Sequence, residues 1–306
     1  MEMRKLEVFC RVVELKSFTR AAEAVLLSQP TVSEHIRSLE EELGQKLIDR
    51  LGREAEPTPV GSLLYKYAVR MLRLQEEAVE SIENYGGKLF GRIMIGSGTI
   101  PGTYILPRLI SQFRKKYSSI QATLRIAGSQ LIASEVLNGG LDMAVVGARW
   151  KEKGLEWRQI FSDRLVLVVN AEHPWASRRA VGLEELKNEP FILRESGSGT
   201  RRVIDQILEN HGVNPADLQE VAEIGSTAAI KEAVKAGIGI SILSVRSVEQ
   251  DVNLGLLKTI PLNGIDLERP FYLIKRINRE LSPVSAIFRD YLLEADTMEL
   301  RATRRS

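Results

Sequence analysis

One cysteine, Cys10, stands in the 306 residues. An intramolecular disulfide is excluded, and this usage agrees with a reducing cytoplasm. Long hydrophobic runs are missing too. An apolar stretch such as LVLVV falls far short of a membrane span, so no membrane partner is expected. The opening residues, MEMRKLEVFCRVVELKS, mix acids, bases and apolar groups without a signal-peptide core, so export is not expected. An excess of one charge sign is also absent. The formal net charge is +2, and residues 1–60 hold nine Lys/Arg against eleven Asp/Glu. Bulk charge gives no support to nucleic-acid binding, which must be argued from local placement. His35, His173 and His211 lack metal-ligand spacing with Cys10 or any carboxylate pair. No GxxxxGK[ST] loop occurs, and ESGSGT sits in no strand–nucleophile–helix context. An enzyme is disfavoured, and neither metal nor other cofactor is expected.

What is present is ordinary globular composition, 44% hydrophobic and 27% charged, in a chain long enough for two or three domains. From Leu6 to about Val60 the pattern gives short helices with tight connections. Leu6, Phe9, Cys10 and Val13 share one face of a first helix. Ser17 sits where a cap belongs, ahead of the alanine-rich FTRAAEAV. From about Pro59 to Tyr85 one long helix carries Leu64, Tyr67, Met71, Leu74, Ala78, Ile82 and Tyr85 at three- and four-residue spacing. A seam of that length needs a partner helix. Gly86 and Gly87 then stop it. Beyond, apolar strands alternate with helices, among them one helix from about Pro101 to Lys116, which implies open α/β sheets with parallel strands.

The stretch LLSQPTVSEHIRSLEEELG carries the most specific signal. Ser28 is a good N-cap, and Pro30 is tolerated in a first turn whose N–H groups lack intrahelical partners. Val32, Ile36, Leu39 and Leu43 form the docking stripe. Pro30, Ser33, Glu34 and Arg37 lie opposite, with Gln29 and Thr31 at the tip. Glu40 to Glu42 sit at the far end, where a phosphate backbone would repel them. Such a helix can enter a major groove N-terminus first, with Gln29 suited to adenine and Arg37 to guanine or phosphate. Helical hairpins of ordinary bundles show the same pattern. Arg50 and Arg53 follow on what should be a two-stranded wing, and Thr58 caps the long helix.

With SFTRAAEAVLLSQPTVSEHIRSLEEELGQKLIDR and PTPVG taken together, the chain resembles the LysR-type transcriptional regulators over essentially its whole length. The resemblance implies an α-rich winged helix-turn-helix over 1–60 and a linker helix over 61–88 that dimerises antiparallel. It further implies an α/β effector domain over 89–306, two-lobed like type 2 periplasmic binding proteins. Lobe I would take about 89–162 and 268–306, and lobe II about 163–267. Expected partners are double-stranded operator DNA, a small effector and further copies of the chain, as a homodimer or homotetramer, with RNA polymerase as another candidate. Carried over by position, Gln29, Pro30, Ser33, Glu34 and Arg37 face the groove, Thr31, Arg50 and Arg53 lie on or near phosphates, and Ser28 at the helix start is a further DNA-binding candidate. Three departures stand out: Glu34 where many members have a basic or amide residue, Ile48 for the commoner phenylalanine, and prolines 57 and 59 around Thr58.

The implied cleft between lobes would be lined by four loops: SGTIPG, GSQ, ESGSGTRR and GST. Each pairs glycine, which lets backbone N–H groups approach, with a hydroxyl, and helix dipoles favour an anion. Ser97, Thr99, Ile100, Ser129, Ser198, Thr200 and Thr227 are the candidate effector contacts, for a carboxylate or an inorganic oxyanion. Arg149 and Arg201 could add charge but read as surface residues. Taken singly, each loop is also a plain helix cap. A solute-binding transport receptor would share the last two-thirds of the chain. The helix-turn-helix and the missing export signal weigh against it.

Overall fold

The computed structural model describes residues 1–51, 54–84 and 89–303. Arg53, Tyr85, Gly86 and Gly87 lie outside the described residues, as does the side chain of Arg50. Two compact units result, Met1–Lys88 with Asn138–Gly140, and Leu89–Leu137 with Leu141–Ser306.

In the first unit α1 (Met3–Leu15), α2 (Phe18–Ala24) and α3 (Gln29–Leu43) precede a hairpin of β1 (Ile48–Leu51) and β2 (Glu54–Pro57), then α4 (Pro59–Asn84). Local chemistry sets most of the boundaries. Ser17 accepts from the Arg20 N–H, Ser28 accepts from the Thr31 N–H, and Gly44 ends α3 at φ 63°, the left-handed conformation that glycine adopts without strain. Thr58 Oγ1 accepts from the Gly61 N–H at 2.9 Å and donates to the Lys46 carbonyl, so one hydroxyl both caps α4 and ties it to the hairpin.

The buried face of α1 is broader than its spacing suggested. Val8 and Val12 are buried with Leu6, Phe9 and Cys10, and Val13 only partly, because α2, α3 and α4 all pack on this helix. Burial, with Glu14 second, pushes the Cys10 thiol up to about 12, which fits a core residue and not a nucleophile. On α3, Val32, Ile36 and Leu39 are buried, but Leu43 is 41% exposed, being the last helical residue before the chain turns at Gly44. Glu40 is not a bystander at the far end of α3. Its carboxylate accepts from the Leu47 and Ile48 N–H groups and so anchors the start of the hairpin.

The second unit opens with β3 (Gly91–Ser97), α5 (Thr99–Tyr104), α6 (Leu106–Lys116), β4 (Ile120–Ile126), α7 (Ser129–Leu137) and β5 (Met143–Val146). The single helix expected over 101–116 is broken at Ile105, where Pro107 cannot supply the N–H that a continuous helix needs. One long strand, β6 (Leu155–Asn170), leads into β7 (Pro190–Arg194), α8 (Gly199–Asn210), β8 (Gln219–Ile224), α9 (Thr227–Lys235), β9 (Ser241–Ser244), α10 (Val245–Asn253) and β10 (Leu257–Ile260). The chain returns through β11 (Glu268–Arg276) and closes with α11 (Pro283–Thr303).

The strands are not all parallel. β3 pairs parallel with β4 and β5, and β7 with β8, but β6 runs antiparallel to β9, β10 and β11. Topology requires it. The chain leaves the first lobe once along β6 and comes back once along β11, so these two must run in opposite directions. Where they cross, the register slips between Pro270 and Phe271, and Phe161 takes φ 51° as the extra residue of a bulge. Separate cores lie on either side, one around Phe113, Phe271 and Phe288, the other around Phe191, Leu186 and Ile242.

Gly61 allows a close approach of α4 to the hairpin, because a Cβ there would overlap the Leu47 carbonyl. Gly61→Ala should therefore lower the unfolding free energy by about 2 kcal/mol in urea titration, the usual effect of overpacking against backbone.

Candidate functional site

The wet face of α3 is pre-arranged by its own side chains. Gln29 Nε2 donates to Ser33 Oγ at 2.9 Å, and the Ser28 and Thr31 hydroxyls meet at 2.8 Å. Pro30 occupies the first turn. Arg37 is gripped by Glu34 through Nε at 3.2 Å and Nη2 at 2.8 Å, and Glu41 lies 3.7 Å from it. The Arg37 guanidinium in turn holds the exposed Glu34 carboxyl below its ordinary range. All seven positions from Ser28 to Arg37 named from the sequence thus share one open helix end, except that Ser33 is half-buried. Arg50 lies on β1, opposite Ala55.

The expected seam of α4 divides in two. Leu64 and Met71 pack against the first unit's own core, beside fully buried Ala68. Tyr67, Leu74, Ala78 and Ile82 are exposed, and Leu63 and Val79 with them. The stripe left open to a partner is therefore shifted around the helix from the one the spacing suggested, and it runs toward the C-terminal half.

In the second unit a closed cleft lies between the lobes beside the β6–β11 crossing. Its walls are the starts of α5, α7 and α8, with Thr99, Ile100, Ser129, Ser198 and Thr200 from the sequence reading, joined by Arg194 and Arg269. The space it offers measures only about 10 Å³, room for a single water. Ser97 and Thr227 do not line it. Ser97, the last residue of β3, is fully buried, its hydroxyl donating to the Gly98 and Val145 carbonyls. Thr227 stands behind Arg194 and accepts from its Nη1 at 2.7 Å. The cap of α9 is the preceding Ser226. Arg149 lies against Trp157 and Tyr272, and Arg201 pairs with Asp205, so neither enters the cavity.

Two arginines that the sequence reading missed dominate the cleft. Arg269, 3% exposed, donates through Nε and Nη2 to Asp163 at 2.9 and 2.7 Å, and through Nη1 to Thr200 at 3.0 Å. Asp163 also accepts from Ser244 at 2.7 Å. Burial lowers the Arg269 pKa and Asp163 opposes that shift; a guanidinium stays charged either way. Arg194, equally buried, donates to Glu195, Thr227 and the Gly225 carbonyl, with a long 3.4 Å approach to Thr99 across the cleft. Two further bonds hold the lobes together, Gln130 N–H to the Gly197 carbonyl and Arg202 Nε to the Arg149 carbonyl. Nothing local in LERPF reveals the burial of Arg269, whose partner Asp163 lies far away in the chain; PFILRES does show the adjacent Glu195 that pairs with Arg194, but not that the guanidinium is buried.

Among the described residues no group of three His, Cys, Asp or Glu could hold a metal ion, and no helix is long and apolar enough to cross a membrane.

Comparison with known proteins covers both units. Residues 3–62 match the family described as bacterial regulatory helix-turn-helix protein, lysR family, and residues 86–297 match the LysR substrate binding domain. The chain is 33% identical over 287 residues to the probable RuBisCO transcriptional regulator of Cyanidium caldarium, covering 93% of this chain and 90% of that protein. The regulatory domain of Synechocystis PCC6803 CcmR, solved in complex with 2-PG, is 28% identical with a TM-score of 0.62, over 67% of this chain and 97% of that one. Full-length CbnR, solved with its target DNA, gives a TM-score of 0.71 over 96% of this chain and 99% of that one; at 20% identity the likeness is one of fold. The chain belongs to the LysR family, as a DNA-binding transcriptional regulator whose activity a small effector modulates.

Proposed function

We propose that the effector is a small anion, a carboxylate or an inorganic oxyanion, held where Arg194 and Arg269 meet the starts of α7 and α8. The observation that carries this reading is the pair of buried guanidinium groups, each keeping N–H donors beyond those its protein partners use, beside hydroxyls of Thr99, Ser129, Ser198 and Thr200. Charge-assisted bonds in a site of low polarity favour carboxylate or oxyanion over neutral ligands. CcmR, described in complex with 2-PG, is a relative in which this domain holds a small molecule. Because the cavity admits about one water, a larger ligand must part the lobes about the β6–β11 crossing.

At the other end, α3 reads operator DNA through Gln29, Pro30, Ser33 and Arg37, with Ser28, Thr31, Arg50 and Arg53 toward phosphates. CbnR is a solved relative on its target DNA. Glu34 acts by gripping Arg37, so that the guanidinium is aimed and its charge muted until DNA competes for it. The chain works in the cytoplasm without cofactor or catalysis, as a homodimer built on the exposed stripe of α4 and further as a homotetramer, with RNA polymerase as a partner at promoters.

Calorimetry of the full chain against acetate, inorganic phosphate and sulfate should show saturable binding of at least one. Binding of neutral or cationic compounds alone would contradict the anion reading. Glu34→Gln should tighten binding to duplex DNA of any sequence about threefold at low salt in fluorescence anisotropy, the gain fading as salt rises. A loss confined to one operator position would instead make Glu34 a reader of that base.

A further inference from the structure

Beside the anion site the fold carries a carboxylate of its own. Glu195 follows Arg194 directly and grips it two-handed, with Nε to Oε2 at 2.8 Å and Nη2 to Oε1 at 2.8 Å. Its side chain is 31% exposed where that of Arg194 is 3% exposed, so the carboxylate reaches solvent while the guanidinium it holds does not. It rests against glycines of two loops from different elements. A Cβ on Gly128, just ahead of α7, would come within 3.6 Å of Oε1, and one on Gly225 within 3.9 Å of Oε2. A carboxylate thus sits on a guanidinium, between two glycines, next to the start of a helix. Those are the partners an effector anion would seek.

We infer that Glu195 is a resident competitor for Arg194, an internal stand-in for the effector that sets how strong an anion must be to enter. The inference rests on the anion reading above and concerns the regulation of that same site. An arriving carboxylate or oxyanion must displace Glu195 from the Nε–Nη2 edge or bind beside its negative charge; both lower affinity. Displacement has a structural consequence. Glu195 opens the loop whose Gly197 carbonyl accepts from Gln130 N–H of the opposite lobe, and its own carbonyl accepts from the Ser198 N–H that starts α8. Freeing the side chain therefore loosens a loop that bridges the lobes, which couples anion entry to cleft geometry. The displacement is an ion exchange in which hydrogen bonds are traded and no covalent bond is made or broken.

Neutralising the competitor should strengthen anion binding. In calorimetry of the full chain with acetate and inorganic phosphate, Glu195→Gln should bind on the order of tenfold more tightly than the parent, the scale of one unit charge about 4 Å away on a part-exposed carboxylate screened by solvent. Glu195→Ala should tighten binding as well, which separates lost charge from any effect of the amide. Glu220→Gln, an exposed carboxylate on β8, should leave affinity unchanged and so excludes a general effect of net charge. If the parent binds and neither Glu195 variant binds more tightly, or Glu220→Gln gives the same gain, the competitor role is overturned while the anion site stands. If parent and variants all fail to bind either anion, the site itself is overturned and the competitor with it.

Discussion

The Asp163–Arg269 ion pair is the contact on which the second unit turns. Asp163 stands on β6 and Arg269 on β11, the two strands that carry the chain out of one lobe and back from the other, and both side chains are almost wholly buried. Isolated charges at such depth would be strongly destabilising, so each residue obliges the fold to keep the other. The pair also reaches outward. Asp163 holds Ser244 at the start of α10, and Arg269 holds Thr200 at the start of α8. One buried contact therefore fixes the strand crossing and positions a wall of the cleft. A ligand that drew Arg269 toward itself would act on both.

The same logic of paired charges recurs at lower burial in the rest of the molecule. Arg194 and Glu195 form a half-buried pair beside the cleft, and Arg37 and Glu34 form a fully wet one on α3. Burial decides what each can do. The wet pair is weak and easily surrendered to a polyanion. The half-buried pair can be opened by a small anion that offers the same bonds. The buried pair cannot be opened without loss of structure. The functional contacts of this regulator thus form a series from exchangeable to permanent.

Much of the first unit was legible in the sequence because its signals are local. Ser17, Ser28, Gly44 and Thr58 act on backbone within a few residues of themselves, and the docking stripe of α3 follows from helix periodicity. Leu43 failed because periodicity says which face a residue takes and not how far the neighbouring helices extend. The α4 seam was legible as a stripe, but Leu64 and Met71 pack partly on the helix's own unit, and spacing alone cannot separate an internal partner from an external one. In the second unit the alternation of strands and helices was readable, but the antiparallel crossing of β6 and β11 was not. Pairing between strands a hundred residues apart leaves no local trace. Arg269 was missed on the same ground, Arg194 and Glu195 because their neighbouring charges do not show that the fold buries the guanidinium, and Ser97 and Thr227 were named for their loops although the fold turns their hydroxyls to carbonyls and to Arg194.

Asp163 and Arg269 work as one unit, and a double-mutant cycle tests this most directly. Asp163→Asn and Arg269→Met, alone and together, would be compared by urea unfolding. Each single change leaves a buried partner uncompensated and should cost about 3–5 kcal/mol, whereas the double mutant should be no less stable than the worse single one. Losses that simply add would contradict the account.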